Sequence, residues 1–385
     1  MVVKPTRKRN GPILIIATFH NPNWAISHIM PIASASHNPV IVVTDPVDLV
    51  LRNVTFKFPG AAISKVVPRA LAKFALALRL AIKERPSHII GYHFFPSAVI
   101  ALLCRTVAGG SAIYQSTGGP IEIEGGGWNS ENKLLRALQR PSKLLERISL
   151  DLVRKFDYVV GRGMYAEEFF TQRGEILNYR TILGSVEIPH SVPDLCSRDI
   201  DVLFVGRLAE TKRLDVFLQI VKALVTKRSD LCVTMIGDGE QKAYLSDLCV
   251  DLGILENVHF TGKLDNVFEW LCRSKIFVLT SRTEGVSIAM LEAMAQGVVP
   301  VVIDVGELSS ALRSGVSGYL IKTPCVSEFA ERIEDLLSNP TRWRSFSASA
   351  RLSVAEIAGR DTVTEQWRNL FSSQNNIRPI QLPEH

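Results

Sequence analysis

The chain has 385 residues, comfortable for two domains rather than one. With 46% hydrophobic and 21% charged residues it reads as a folded globular protein, which excludes a disordered or fibrous chain. The net charge of +6 is uneven: residues 1–190 carry 23 Lys and Arg against 13 Asp and Glu, and residues 191–385 carry 21 against 25.

A basic first half suits an anionic partner such as nucleic acid, a lipid surface or a phosphorylated acceptor; an ordinary basic domain is the plainer reading. The basic residues lack interleaved aromatic platforms or a known nucleic-acid motif, so nucleic acid is not expected. The six cysteines, Cys104, Cys196, Cys232, Cys249, Cys272 and Cys325, have no C-x-x-C spacing and sit in apolar runs. That argues against a metal cage or disulfide framework and for a reducing cytosol.

In chain order, residues 1–10 are basic, and the apolar run 13–17 is too short for a signal sequence, so it reads as a first strand. No apolar stretch reaches the roughly 18 residues a spanning helix needs. The nearest, residues 61–85, is broken by Lys65, Arg69, Lys73 and Arg79. Strand-like runs follow at 40–44, 88–92, 112–115 and 157–161, then at 202–205, 232–236, 258–260, 276–280, 298–303 and 319–321. Between them lie stretches with 3.6-residue periodicity, such as 213–227 and 241–252. Alternation of this kind predicts parallel sheets built from βαβ crossovers. Two such series part at residues 188–194, which hold two prolines and polar residues. The expected organisation is a domain over 1–190, a second over 191–365, and a C-terminal helix and tail over 366–385 expected to cross back to the first domain.

Two segments of the first half carry a basic amphipathic pattern. One has Lys65, Arg69 and Lys73 beside Leu71, Phe74, Leu78 and Ile82; the other has Lys133, Arg136, Arg140, Lys143, Arg147 and Arg154. Such helices either lie on anionic membranes or pack on a sheet in the ordinary way. Gly125-Gly126-Gly127-Trp128 is expected to form a mobile loop whose indole could stack on a sugar.

The motifs that carry chemistry stand at strand ends. Gly206-Arg207 follows the run 202–205, with Lys212 five residues on. A glycine there lets backbone approach a ligand, and Arg with Lys would neutralise a diphosphate. Glu284 stands on the loop after the run 276–280 and Glu292 on the helix that follows, which Ser287 would cap. Open α/β sheets bind ligands at such ends. Met235-Ile236-Gly237-Asp238-Gly239 reads as a tight turn, because a G-x-G without a third glycine is a weak dinucleotide signal. No convincing Asp-x-Asp metal motif is present.

The second half strongly resembles the nucleotide-binding domain of retaining GT-B glycosyltransferases of family 4. The resemblance rests on Phe204-Val205-Gly206-Arg207-Leu208 with Lys212, Ile236-Gly237-Asp238-Gly239, Val258-His259-Phe260-Thr261-Gly262, the Glu284 and Glu292 pair, and Gly306-Glu307-Leu308 before Gly315 and Gly318. It implies an α/β, GT-B architecture: two doubly wound Rossmann-like parallel-sheet domains facing a central cleft. It implies that Arg207 and Lys212 bind the donor diphosphate beside Gly206, that Glu292 holds the ribose hydroxyls, and that Glu284 contacts the sugar hydroxyls. The backbone at Gly285, Val286, Ser287 and Ile288 would meet sugar and phosphate, and the base would lie near Gly262, Lys263 and Leu264. Arg207, Lys212 and Glu284 are the expected catalytic set, with His93 an added candidate at a strand end. Neither a metal nor a cofactor is expected, the nucleotide sugar being a substrate.

The implied activity is retaining transfer of a hexose from a nucleotide diphosphate sugar to a glycan or lipid-linked glycan hydroxyl, as in bacterial surface polysaccharide or glycolipid synthesis. The expected location is the cytoplasm, with peripheral contact at the cytoplasmic membrane face. The alternatives are a sugar-nucleotide epimerase or phosphorylase on the same scaffold, and a binding-only relative. The first half departs from the family pattern: the loop Phe19-His20-Asn21-Pro22-Asn23-Trp24 has no glycine pair, and Thr117 or Gly118 in the Gln115–Gly119 loop stands where relatives carry a His.

Overall fold

The computed structural model describes residues 10–19, 22–60, 68–130, 132, 135 and 139–372. Lys65, Lys133 and Arg136 of the two basic patterns, His20 and Asn21 of the first loop, and the tail beyond residue 372 lie outside the described residues. The chain forms two compact units, one of residues 1–184 with 363–385 and one of residues 185–362. The boundaries thus fall at 184/185 and 362/363, against the expected 190/191 and 365/366.

The first unit holds β1 (Ile13–Ile16), β2 (Val40–Val43), β3 (Val54–Lys57), β4 (His88–Tyr92), β5 (Ser111–Gln115), β6 (Tyr158–Gly161) and β7 (Tyr179–Thr181). They form one parallel sheet in the order β3-β2-β1-β4-β5-β6-β7. The second unit holds β8 (Ile200–Val205), β9 (Val233–Ile236), β10 (Val258–Gly262), β11 (Ser274–Leu279), β12 (Val299–Ile303) and β13 (Tyr319–Ile321), in the parallel order β10-β9-β8-β11-β12-β13. Each unit is therefore a doubly wound, Rossmann-like α/β sheet.

The central strands are continuous apolar runs because helices cover both faces. All four residues of β1 and all five of β12 are buried. On one face of the first sheet Ile13, Ile15, Ile90, Tyr92, Ile113 and Val160 share a core with Ala25 and Ile29 of the helix Pro22–Ala35. Tyr114, Val159 and Phe170 lie in a separate core.

Three expectations change. Strands β3 and β7 were not foreseen; β3 is a sheet-edge strand of half-buried and exposed residues, and β7 is only three residues long. Lys73 does not belong to an outward basic face: its side chain is 8% exposed, and its ammonium bonds Asp45 at 2.8 Å and Thr18 at 2.7 Å. The Gly125–Gly127 run is packed rather than free, with all three glycines buried and the Gly125 N–H donated to Glu146 Oε2 at 2.7 Å. Lys143 and Arg147 are exposed on the helix Lys143–Val153. Among the described residues no helix is long and apolar enough to cross a membrane.

Candidate functional site

In the second sheet the winding direction reverses between β8 and β11, which are neighbours in space but not in sequence. Crevices at the carboxyl ends of such strands are where these folds hold ligands. After β8 the chain turns at Gly206 and passes Arg207 into a short 3-10 turn, Glu210–Lys212. After β11 it passes the buried Thr280 and Ser281 to Glu284. The two loops are tied together: Thr280 Oγ1 donates to the Lys212 and Arg213 carbonyls at 3.0 and 2.9 Å, and the Arg282 N–H donates to Thr211 at 2.8 Å.

This lacing brings Lys212 Nζ to 2.6 Å from Glu284 Oε1, an oxygen that also accepts from Ser281 Oγ at 2.6 Å. Both side chains are largely shielded, at 22% and 10% exposure. Arg207 is exposed, and its guanidinium has no side-chain partner among the described residues. Gly285 to Ser287 lead into the helix Ile288–Ala295, whose cap is Ser287 Oγ accepting from Met290 N–H at 3.3 Å. The first N–H groups of that helix have no carbonyl four residues back, and the helix dipole favours an anion there.

Two glycines allow the loops to approach. A Cβ on Gly306 would stand 1.8 Å from the Glu284 carbonyl oxygen, at φ +60°, and one on Gly237 would stand 1.8 Å from the Gly206 oxygen. The Gly237 N–H also donates to Gly262 at 2.9 Å, linking the Gly206 turn to the end of β10. Beyond it Lys263 is exposed and Leu264 half-buried. Glu292 lies on the helix Ile288–Ala295 with no side-chain hydrogen bond or ion pair among the described residues. Burial pushes its carboxyl up to about 7. The structure therefore joins Lys212 and Glu284 directly, with the Gly285–Ile288 turn following Glu284 in the chain, while among the described residues Arg207, Glu292, Lys263 and Leu264 make no side-chain bond to the pair.

The first sheet has its own reversal, between β1 and β4. His93 follows β4 at φ +63°, with its ring stacked 6.0 Å from that of Trp24 on the helix after β1. His93 Nδ1 lies 3.1 Å from Glu122 Oε1 and 2.7 Å from Thr117 Oγ1, so His93 and the Gln115–Gly119 loop form one assembly. Glu122 also accepts from Phe94 N–H at 2.6 Å, Tyr114 OH at 2.8 Å and Gly118 N–H at 2.5 Å. Burial would raise the Glu122 carboxyl, but the His93 charge and these hydrogen bonds hold it below its ordinary value.

The sequence reading missed Glu122 and also Arg162, which stands directly after β6. Arg162 is 5% exposed, its Nη2 lies 2.9 Å from His28 Nε2, and its guanidinium sits 5.9 Å from the Trp24 ring centre. A signal existed: Val160-Gly161-Arg162 repeats the strand–Gly–Arg pattern of Val205-Gly206-Arg207. Among the described residues no three His, Cys, Asp or Glu side chains group as a metal site requires.

Comparison with known proteins bears on the second unit most directly. Residues 191–353 match the family described as "Glycosyl transferases group 1", a stretch that lies within the second unit. A curated relative, the poly(ribitol-phosphate) alpha-N-acetylglucosaminyltransferase of Staphylococcus aureus (strain COL), is 27% identical over 200 residues, 52% of this chain and 40% of that protein. The chain thus spans less than half the length of this relative. The N-acetyl-alpha-D-glucosaminyl L-malate synthase of Bacillus anthracis is 24% identical over 306 residues, 79% of each protein. The solved structure of Anabaena HepE in complex with UDP-glucose superposes with a TM-score of 0.75 over 94% of this chain and all of that one, at 15% identity. That likeness establishes the fold, two Rossmann-like domains of the GT-B kind.

Proposed function

We propose that this chain is a retaining glycosyltransferase that moves a hexose from a nucleotide diphosphate sugar to a hydroxyl of a glycan or lipid-linked glycan, in surface polysaccharide or glycolipid synthesis. The observation that carries the reading is the Lys212–Glu284 pair at the β8–β11 reversal, 2.6 Å apart and beside the capped helix Ile288–Ala295. It puts a shielded cation and a hydroxyl-binding carboxylate at one point, as a ligand with both phosphate and sugar hydroxyls demands. The names of the relatives support the same chemistry: two act in N-acetylglucosaminyl chemistry, and one solved neighbour holds UDP-glucose.

In this reading Arg207, Lys212 and the first N–H groups of the helix neutralise the diphosphate. Glu284 accepts from the sugar hydroxyls and Glu292 from the ribose. As the sugar–phosphate bond breaks, negative charge grows on the leaving diphosphate and positive charge on the sugar. A cation already fixed where that charge grows stabilises the transition state more than the bound donor. Glu284 holds Lys212 in place before the donor arrives, so little reorganisation accompanies the step. The acceptor hydroxyl attacks from the face of the leaving group, and the departing phosphate takes its proton.

The test is turnover of Lys212→Ala with UDP-glucose and other nucleotide sugars across an acceptor panel. Loss of one fixed charge contact at the leaving group is expected to lower kcat on the order of 10²- to 10³-fold. A kcat within a few-fold of the unaltered protein would remove Lys212 from the reaction.

A further inference from the structure

Three buried polar groups in the first unit have no use in the donor chemistry, and they stand side by side. Tyr92 and Gln115 are paired across β4 and β5, and Gln115 is paired with Val160 of β6. Paired residues of a parallel sheet project from the same face, and Arg162, two residues beyond Val160, continues that row. Tyr92 and Gln115 are 0% and 1% exposed, and among the described residues Tyr92 OH, Gln115 Oε1 and Arg162 Nε are each buried without a hydrogen-bond partner. Unpaired buried polar atoms are costly, and two of these three, Tyr92 OH and Arg162 Nε–H, are donors, whereas Gln115 Oε1 is an acceptor.

The charge balance of the cluster points one way. Arg162 faces His28, Trp24 and Tyr92, and none of these carries a negative charge there. Burial, then the Arg162 charge, depress the His28 imidazole well below its ordinary value, so its neutral Nε2 accepts a hydrogen bond from the Arg162 Nη2–H. Burial raises the Tyr92 phenol, which stays protonated as a donor. Burial lowers Arg162 only to about 10, so it is a cation at neutral pH. Glu122, whose charge acts on Arg162, already accepts from Phe94, Tyr114 and Gly118. A buried guanidinium without a carboxylate of its own is several kcal/mol from its preferred state. His93, stacked on Trp24 beside the cluster, has a side chain 42% exposed.

We infer that Arg162, with the Tyr92 hydroxyl, is an oxyanion-binding site in the first unit that grips a carboxylate or phosphate group on the acceptor. The assignment to the acceptor rests on the glycosyltransferase reading; the oxyanion site itself does not. Arg162 would present its free Nε–H edge to the anion, and Tyr92 would donate its hydroxyl. Arg162 is then a specificity residue: it selects acceptors that carry an anionic group near the reacting hydroxyl.

The experiment is calorimetry with inorganic phosphate and, separately, with malonate at constant ionic strength. Four proteins are compared: unaltered, Arg162→Gln, Tyr92→Phe and Lys212→Ala. At least one anion is expected to show a binding component that Lys212→Ala retains and Arg162→Gln loses. Tyr92→Phe is expected to bind it about tenfold more weakly, the loss of one hydrogen bond to a charge, although losing an unpaired buried hydroxyl should leave its fold no less stable. Binding of phosphate alone identifies a phosphorylated acceptor, and of malonate alone a carboxylated one. Equal anion binding by the unaltered, Arg162→Gln and Tyr92→Phe proteins overturns the proposal, as does binding lost only in Lys212→Ala. If Arg162→Gln does not fold, Tyr92→Phe decides by itself. UDP-glucose titrated into the same proteins keeps the two readings apart: absence of nucleotide-sugar binding to the unaltered protein counts against the glycosyltransferase and leaves the anion result standing.

Discussion

Glu292 is a half-buried carboxylate with no side-chain hydrogen bond or ion pair among the described residues, and its burial makes it a pH-sensitive point of the ligand-free protein. Its folded pKa, about 7, exceeds the ordinary 4.5, so between these values the folded chain binds more protons than the unfolded one. Its effect on stability is therefore smallest below pH 4.5, grows as the pH rises to about 7, and is constant above. The full cost is about 3 kcal/mol. Glu292→Gln should be more stable than the unaltered protein at pH 8 by roughly that amount, and no more stable at pH 4.5, in urea unfolding of the ligand-free proteins. A stability difference that does not change with pH would mean that the carboxyl is not shifted. In the proposed reading ribose hydroxyls donate to Glu292 and favour its ionised form, so UDP-glucose affinity should weaken as the pH falls below 7 in the unaltered protein and less in Glu292→Gln. Glu292 was legible in the sequence as a helix carboxylate after a strand. The direct bond between Lys212 and Glu284 was not, because it depends on β8 lying beside β11, an adjacency that no local pattern encodes.

At the scale of elements, the geometry around Glu284, the donor side in the proposed reading, depends on loops packed backbone to backbone. Gly306 follows β12 and has left-handed φ with its missing Cβ directed into the Glu284 carbonyl, whereas Gly315 has left-handed φ and open space around it. The two separate backbone strain from close packing. Gly315→Ala should cost about 1 kcal/mol of stability and leave donor binding unchanged. Gly306→Ala adds a collision that only a shift of the Glu284 loop can relieve, and should cost about 1–3 kcal/mol and weaken UDP-glucose binding at least tenfold. Equal effects of the two substitutions, read by thermal unfolding and calorimetry, would contradict the packing account. The inner strands of both sheets were readable because burial on both faces makes them unbroken apolar runs. Strand β3 was not, since its half-buried and exposed residues look like a loop, nor was β7, only three residues long. Lys73 was misread for a related reason: helical spacing put it in register with Arg69, but Asp45 and Thr18, which draw it inward, lie at the ends of other elements. Arg162 followed the same strand–Gly–Arg pattern as Arg207, yet Tyr92, His28 and Gln115, which give it meaning, come from three separate segments.

At the scale of the whole molecule, the chain leaves the first unit after Gly184 and returns to it at Val363. The two crossing segments are paired: Val186 N–H donates to Ala358 at 2.8 Å, and Arg360 N–H to Val186 at 3.0 Å. The returning helix, Arg360–Ser372, then places Val363, Trp367 and Leu370 in the core of the first sheet, with Trp367 only 3% exposed. Phe371 adds a contact with His88 at the start of β4, with ring centres 4.7 Å apart. The helix Arg360–Ser372 is thus a structural part of the N-terminal unit, so damage there should be felt far away in sequence. Trp367→Ala removes a large buried side chain from that core and should cost about 3–5 kcal/mol. The loss belongs to the first unit, so hydrogen exchange should accelerate in β1 and β4 and remain unchanged in β8 and β11. UDP-glucose binding, a property of residues 206–292 in the proposed reading, should survive wherever the second unit stays folded. Uniform acceleration across both sheets would show instead that the two units unfold as one, and that the helix stabilises the chain as a whole.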